Sequence, residues 1–373
     1  MKPREFHIWE FPKDKVRVLF NVKTQKKFFK DCKNEFNSLK DCSKYLGIKY
    51  GTLLTWKNSN LFIPLWAIKK IINKLSWDWK FVEKNIIAYK GNGHGNAIKN
   101  PKLPLKESPE LFGVMTHLIC DGHVDKKTGM PSYINKNKGL INNFNILIKK
   151  SFGNSHVNRV KGKRAYFIIY PKVIADLIKH FYDIKFHSED SYFPKETFSL
   201  PKEFSYSVIR AVVDDEGTIR DNRIAIRMKN KKLVEQIKTI LLNFIKKSDL
   251  MNIKQRGDFF DIAIKSKGLL QFRNKIKLIH PMKINDLDYA IKKQKLRSRG
   301  QRYPKGYAQK ELLKLLNKKS MKTKELSQNL FIQLNNTSLH LKNLESKNFV
   351  RQENEEYSFR WFITESGRKY ISK

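Results

Sequence analysis

Cysteine is scarce in this chain: Cys32, Cys42 and Cys120 are the only three in 373 residues, and with nine histidines they form no CxxC and no zinc-type cluster. That excludes a disulfide framework and a cysteine-based zinc finger, and it suits a reducing compartment. Acid is short too, with 35 Asp and Glu against 76 Lys and Arg, a net charge of +41. No apolar run approaches the length of a membrane span, and the start "MKPREFHIWEF" has no signal-peptide core. The expectation is an intracellular chain, cytoplasmic or nucleoid-associated, with no membrane partner. A chain this basic repels itself unless its partner is a polyanion, and nucleic acid is the commonest one.

The length allows two or three domains with sizeable cores. Near the N-terminus, "SLKDCSKYLGIKYGTLLTWKNSNLFIPLWAIKKIINKL" (38–75) reads as helix, tight turn at Gly47, helix and then a further helix opened by Pro64. This spacing is similar to a helix-turn-helix of the phage-repressor type, in which a helix over 50–57 would enter the major groove. Lys49, Tyr50, Thr52, Thr55 and Lys57 are the candidate contacts. The all-α domain is expected over 1–88, and a Gly- and Pro-rich stretch over 89–104 reads as a linker. Its "GNGHG" (91–95) is too sparse for a dinucleotide fingerprint.

At the other end, 306–373 shows three helical patterns, then strand patterns and a closing helix, and resembles a winged helix. Asn336 or Thr337 is expected to cap the third helix, which presents Thr337, Ser338, His340 and Lys342 outward. The basic stretch 292–305 has seven Lys or Arg and no acid, and reads as a linker whose Arg297 and Arg299 can meet phosphates.

Between these ends lies one odd feature. "LFGVMTHLICDGHV" (111–124) is an apolar helix that finishes on Asp121, where the helix dipole disfavours an acid. Gly122 fits a left-handed C-terminal glycine. "SVIRAVVDDEGTIR" (207–220) repeats the pattern: apolar run, acid, Gly, then a strand start. After each copy come a strand, a helical pattern and a further strand, so two half-domains are predicted, 105–203 and 204–291.

"VMTHLICDG" (114–122) and "IRAVVDDEG" (209–217), with the "HV" and "TI" strand starts and "IKLIHPMKINDL" (276–287), resemble the LAGLIDADG homing endonuclease family. The resemblance covers about half the chain and both motifs. It implies an α+β core of two αββαββα half-domains about a pseudo-two-fold, flanked by the all-α helix-turn-helix and winged-helix domains. It further implies that the two motif helices pack side by side and deliver Asp121 and Glu216 to a shared centre beneath a saddle of strands. Two carboxylates at one place are unfavourable unless cations join them. Mg²⁺, in two or more ions and replaceable by Mn²⁺, takes such oxygen ligands and shares them with phosphate.

Asp121 and Glu216 are therefore the expected metal ligands, with Lys283 as a basic catalytic neighbour. Strand residues Lys126, Lys127, Tyr133, Arg220, Arg223 and Arg227 are expected to read bases or grip phosphates. Close helix packing wants small residues, which Thr116, Cys120 and Ala211 supply and Asp215 does not. Asp214 and Asp215 are expected to point outward or meet basic residues, and His117 to bond backbone at the helix interface. The expected function is Mg²⁺-dependent, site-specific cleavage of double-stranded DNA by a monomer. The alternatives are a non-cleaving DNA-binding regulator of WhiA type and a nuclease or maturase acting on RNA. An intein is not expected, since the chain lacks the His-Asn ending.

Overall fold

The computed structural model describes residues 1–57, 61–93, 95–161, 165–186, 189–220, 222–298, 306–355 and 358–372. They divide into two compact units, Met1–Thr218 with Ile224–Ile284, and Ile219–Arg223 with Asn285–Lys373.

The first unit contains the repeat, apart from Ile219–Arg223 of the second copy. One copy runs helix Pro109–Cys120, strands Gly122–Val124 and Pro131–Asn135, helix Lys138–Ser151, strands Asn158–Lys161 and Tyr166–Ile169, and helix Lys172–Tyr182. The other runs helix Lys202–Glu216, strands Gly217–Arg220 and Arg223–Met228, helix Lys231–Leu242, strands Lys254–Arg256 and Phe259–Lys265, and helix Ser266–Lys275. Each copy is thus αββαββα. Within each four-stranded sheet the order is first, second, fourth, third strand of the copy. A shared element order with a shared sheet order is what a duplicated unit produces.

The two motif helices form the centre. Ser108 caps the first by accepting from Leu111 N at 3.1 Å, and Pro109 follows in the first turn, where its missing N–H costs nothing. Every residue from Leu111 to Ile119 is buried, so this helix is enclosed on all sides. The second helix buries Phe204, Val208, Ile209 and Ala211–Asp214 and packs along the first. Thr116 and Ala211, the small residues expected between them, are both 0 % exposed.

The N-terminal region departs from the all-α expectation. Helices Val22–Glu35, Leu39–Leu46, Tyr50–Lys57, Leu65–Leu75 and Trp79–Lys84 accompany a sheet ordered Ile63–Pro64, Val16–Phe20, Ile86–Gly91, Ile98–Lys99, Asn154–Ser155. The tight turn is where it was expected, with Gly47 left-handed at φ 72°. Pro64 stands where it was expected, at the N-cap of helix Leu65–Leu75, and also pairs with Arg17 as an edge-strand residue. The stretch 89–104 is no free linker, since Ile98–Lys99 joins Ala88–Tyr89 on one side and Asn154–Ser155 on the other. Between Tyr89 and Leu103 only Ala97 and Ile98 are apolar, too little for a period to show in the sequence.

The second unit runs helix Tyr307–Lys318, strand Met321–Lys322, helices Thr323–Leu330 and Leu334–Glu345, strands Val350–Glu355 and Ser358–Ile363, and helix Glu365–Ser372. Leu312, Leu313, Leu326, Leu341, Leu344 and Trp361 belong to its core. Helix Leu334–Glu345 starts before Asn336 and Thr337, with no side-chain cap, so neither residue caps it. Thr337 is 0 % exposed and donates back to Gln333 O, so it faces the core and not outward. The basic stretch also departs from expectation: helix Pro281–Ser298 continues through its first seven residues. Arg299 and the side chain of Arg297 lie outside the described residues.

Candidate functional site

Asp121 caps the first motif helix, and Glu216 is the last residue of the second. Gly122 and Gly217 start the strands that follow. Neither glycine is left-handed, contrary to the expectation for Gly122. Close approach requires them instead. A Cβ at Gly122 would stand 2.4 Å from Leu118 Cα, and one at Gly217 would stand 2.6 Å from Val213 O. Only glycine lets each chain fold back so tightly onto its own helix.

The acids are close enough to disturb one another. Burial pushes the Asp121 carboxyl up to about 6, and the charge of Asp215 adds to that. Burial pushes Glu216 up to about 7, with the charges of Asp121 and Asp215 adding to the rise. Cys120 stands among the same groups: burial raises its thiol, and so do Asp215, Glu216 and Asp121. Asn135 Nδ2 donates to Asp121 Oδ2 at 2.8 Å and orients it. Desolvation together with like charge is what keeps a carboxyl protonated near neutral pH.

The two other acids of the second motif turn inward and do not point outward. Of the two expected alternatives, Asp215 takes the other, a basic partner in His117, while Asp214 meets backbone amides. Asp214 is 1 % exposed and accepts from Ile279 N at 3.1 Å and His280 N at 3.0 Å, pinning the segment before helix Pro281–Ser298. Asp215 accepts from Tyr133 OH at 2.7 Å and meets His117 Nδ1 at 2.8 Å. His117 therefore bonds a carboxylate, not backbone as expected. Tyr133 is 0 % exposed, so it holds Asp215 and cannot read a groove. The polar positions of the second motif were legible, but their partners come from another helix and another strand. One signal was available: Tyr133 and Asn135, two apart on one strand, share a face.

Lys283 Nζ donates to Val213 O, Asp214 O and Asp215 O at 2.9, 2.7 and 3.1 Å. All three ammonium protons serve the last carbonyls of the second motif helix, where a cation offsets the helix dipole. Burial lowers its pKa, while Asp215, Asp214, Asp121 and Glu216 raise it, so the lysine stands beside the acids.

Among the described residues, no group of three or more His, Cys, Asp or Glu is placed to hold a metal ion. The donor pair itself fits a divalent ion. Asp121 and Glu216 are two oxygen donors that destabilise each other when ionised, and a hard cation between them relieves that repulsion. Asp121 spends one oxygen on Asn135 and has the other to give.

The expected nucleic-acid contacts divide by exposure. Lys49, Tyr50, Thr52, Thr55 and Lys57 are all exposed, as are Lys126, Lys127, Arg220 and Lys342. Ser338, His340 and Arg223 are half-buried. Arg227 makes a forked pair with Asp261 at 2.6 and 2.9 Å, which partly neutralises it. No helix is long and apolar enough to cross a membrane among the described residues.

No protein-family model and no curated protein matches the sequence. Among solved structures, the chain is similar to the homing endonuclease I-DmoI in complex with DNA and Mn, at 17% identity and a TM-score of 0.35, over 45% of this chain and 96% of that one. It is similar to the homing endonuclease I-WcaI bound to its DNA recognition sequence, at 12% identity and 0.34, over 45% and 81%. It is also similar to the N-terminal LAGLIDADG domain of DUF199/WhiA, at 15% identity and 0.34, over 48% and 85%.

Proposed function

We propose that this protein is a sequence-specific DNA endonuclease of the LAGLIDADG homing type, hydrolysing phosphodiesters of double-stranded DNA with Mg²⁺. One observation supports the reading: Asp121 and Glu216, at equivalent ends of two packed repeat helices, are half-buried and both bind protons more tightly than usual, through desolvation and the charge of Asp215, with Asp121 adding to the rise at Glu216. A carboxylate pair in that state is a liability to a protein that only binds, and DNA phosphates would be repelled by it. A divalent ion held by Asp121 and Glu216 would supply charge to a phosphodiester's departing oxygen and acidify a water.

The chain's own residues keep those two acids in place. Asn135 fixes the Asp121 rotamer, and Gly122 and Gly217 set the turn that aims each acid. Lys283 ties down the helix end that bears Glu216 and carries positive charge beside the acids. Exposed Lys and Arg, including Lys126, Lys127 and Arg220, would hold the backbone of the duplex. Helix Tyr50–Lys57 would read a groove through Lys49, Tyr50, Thr52, Thr55 and Lys57. The second unit's order of helix, strand, two helices and two strands is that of a winged helix, with Ser338, His340 and Lys342 toward DNA.

A non-cleaving DNA-binding regulator is the second reading. It is favoured by the absence of a third metal-ligating side chain among the described residues and by the full use of Lys283's protons on backbone. Incubating the purified protein with a randomised duplex library and Mg²⁺ or Mn²⁺ decides between them. Metal-dependent cuts at one recurring sequence support the endonuclease. Selective binding of one sequence without any cut supports the regulator.

A further inference from the structure

A cavity of about 320 Å³ opens beside the N-terminal halves of the two motif helices, away from the acids at their C-termini. Ser207 and Arg210 of the second motif helix and Asn143 of helix Lys138–Ser151 line it. Each presents a polar atom that is buried and has no hydrogen-bond partner: Ser207 Oγ, Arg210 Nε and Asn143 Nδ2. Ser207 is 7 % exposed. Three unpartnered polar groups converging on one cavity are costly unless something polar occupies it.

The charge on the wall says what that is. Arg210 feels the charges of Asp214 and Glu110 but makes no direct ion pair among the described residues; Asp214, one turn further along the helix, spends its carboxylate on Ile279 N and His280 N. Lys150, Lys275 and Lys277 add positive charge to the lining, against Glu110 and Glu203. Lys150 and Glu110 pair with each other at 3.3 Å, so the balance of the rest is positive. A guanidinium with a free Nε–H, an amide donor and a hydroxyl suit an oxyanion such as phosphate better than a neutral group. The size lies at the small end of pockets that hold small molecules, roughly 300–1,000 Å³. Gly113 shapes the wall: a Cβ there would meet Ser207 Oγ at 2.9 Å and crowd the hydroxyl.

We infer that this cavity binds the phosphate group of a small phosphorylated molecule, with Arg210, Ser207 and Asn143 as its donors. The inference does not depend on the endonuclease reading, since none of these residues belongs to the acid pair.

The test is titration of the full chain with inorganic phosphate by calorimetry, at constant ionic strength in chloride. A chain this basic meets phosphate weakly at many surface lysines, so the variants carry the result. Wild type shows one saturable site. Arg210→Met weakens it by about tenfold or more, the effect of a lost charge-assisted bond. Ser207→Ala weakens it by about fivefold, the effect of one neutral bond, and this variant serves if Arg210→Met does not fold. Lys149→Met, at an exposed position outside the cavity, leaves it unchanged. No saturable site in wild type, or equal affinity in wild type and Ser207→Ala, overturns the inference. A saturating DNA duplex separates the sources of phosphate. Undiminished phosphate binding in its presence supports the small-molecule ligand. Displacement by the duplex, with weaker duplex binding in Ser207→Ala, assigns the cavity to a backbone phosphate and overturns it.

Discussion

His117 Nδ1 and Asp215 Oδ2 lie 2.8 Å apart across the interface of the two repeat helices, and both side chains are fully buried. The pair ties each half of the repeat to the other beside the acids. Asp215→Ala leaves His117 and Tyr133 OH without their acceptor, and removing one member of a buried pair costs about 3–5 kcal/mol. Asp215→Asn keeps the shape and an acceptor and should lose clearly less. Urea unfolding of both variants checks this, and equal losses would mean that the amide oxygen of Asn does not replace the carboxylate as acceptor.

Asp121→Asn and Glu216→Gln are each expected to abolish cleavage while duplex binding stays the same or tightens, because repulsion between carboxylate and phosphate falls. Cleavage and binding are measured on the same target, with circular dichroism to confirm the fold. Parallel loss of binding and fold would make the acids structural.

Both acids bind protons more tightly in the folded chain than in the unfolded one, rising to about 6 and about 7. Stability from this source is therefore fully present below the ordinary carboxylate range and is lost as pH rises through 6 and 7. In chelator, wild type should lose more thermal stability between pH 5 and pH 8 than the Asp121→Asn/Glu216→Gln double variant does. Identical pH profiles would show that the two groups titrate normally.

Gly122→Ala and Gly217→Ala drive a methyl into the backbone of the preceding helix turn, at Leu118 and Val213. Overpacking of this kind typically costs about 1–3 kcal/mol, and here no flexible side chain can yield. Cleavage should fall further than stability, since the acid beside each glycine is moved. A variant as stable and active as wild type would mean that the turn relaxes freely.

Lys49 and Lys57 are exposed at either end of the helix proposed to enter a groove. If both touch phosphates, replacing them with Ala lowers the slope of log affinity against log salt by about 0.9 each. An unchanged slope would remove this helix from the interface.

The repeat was legible because a buried helix ending in acid and glycine is rare enough to notice twice. The order of elements in the two copies followed from it, while helix Tyr50–Lys57 and the Gly47 turn were legible separately from the spacing in 38–75. Short strands were not legible. Ile63–Pro64 and Ile98–Lys99 are two residues each, and their place is set by partners far along the chain, Arg17 and Asn154 among them. Around the site, the acids at 121 and 216 could be found by position, whereas the roles of Asp214, Asp215 and Tyr133 could not. An Asp reads as a surface residue until its donors are known, and here these are a tyrosine, a histidine and two backbone amides from other elements. Thr337 misled for the converse reason, since a threonine that bonds its own helix can face the core.

The two glycine turns and the lysine clasp hold the helix ends without any help from Asp121 or Glu216, whose ionised forms work against the fold. Architecture and chemistry are thereby separable in this chain. A lineage released from selection for cutting would drift first at these two positions, since neutral replacements there relieve strain and leave every support intact. Descendants would keep the duplicated frame as a quiet scaffold for binding. On the endonuclease reading, both acids are positions that the function holds and the fold alone would not.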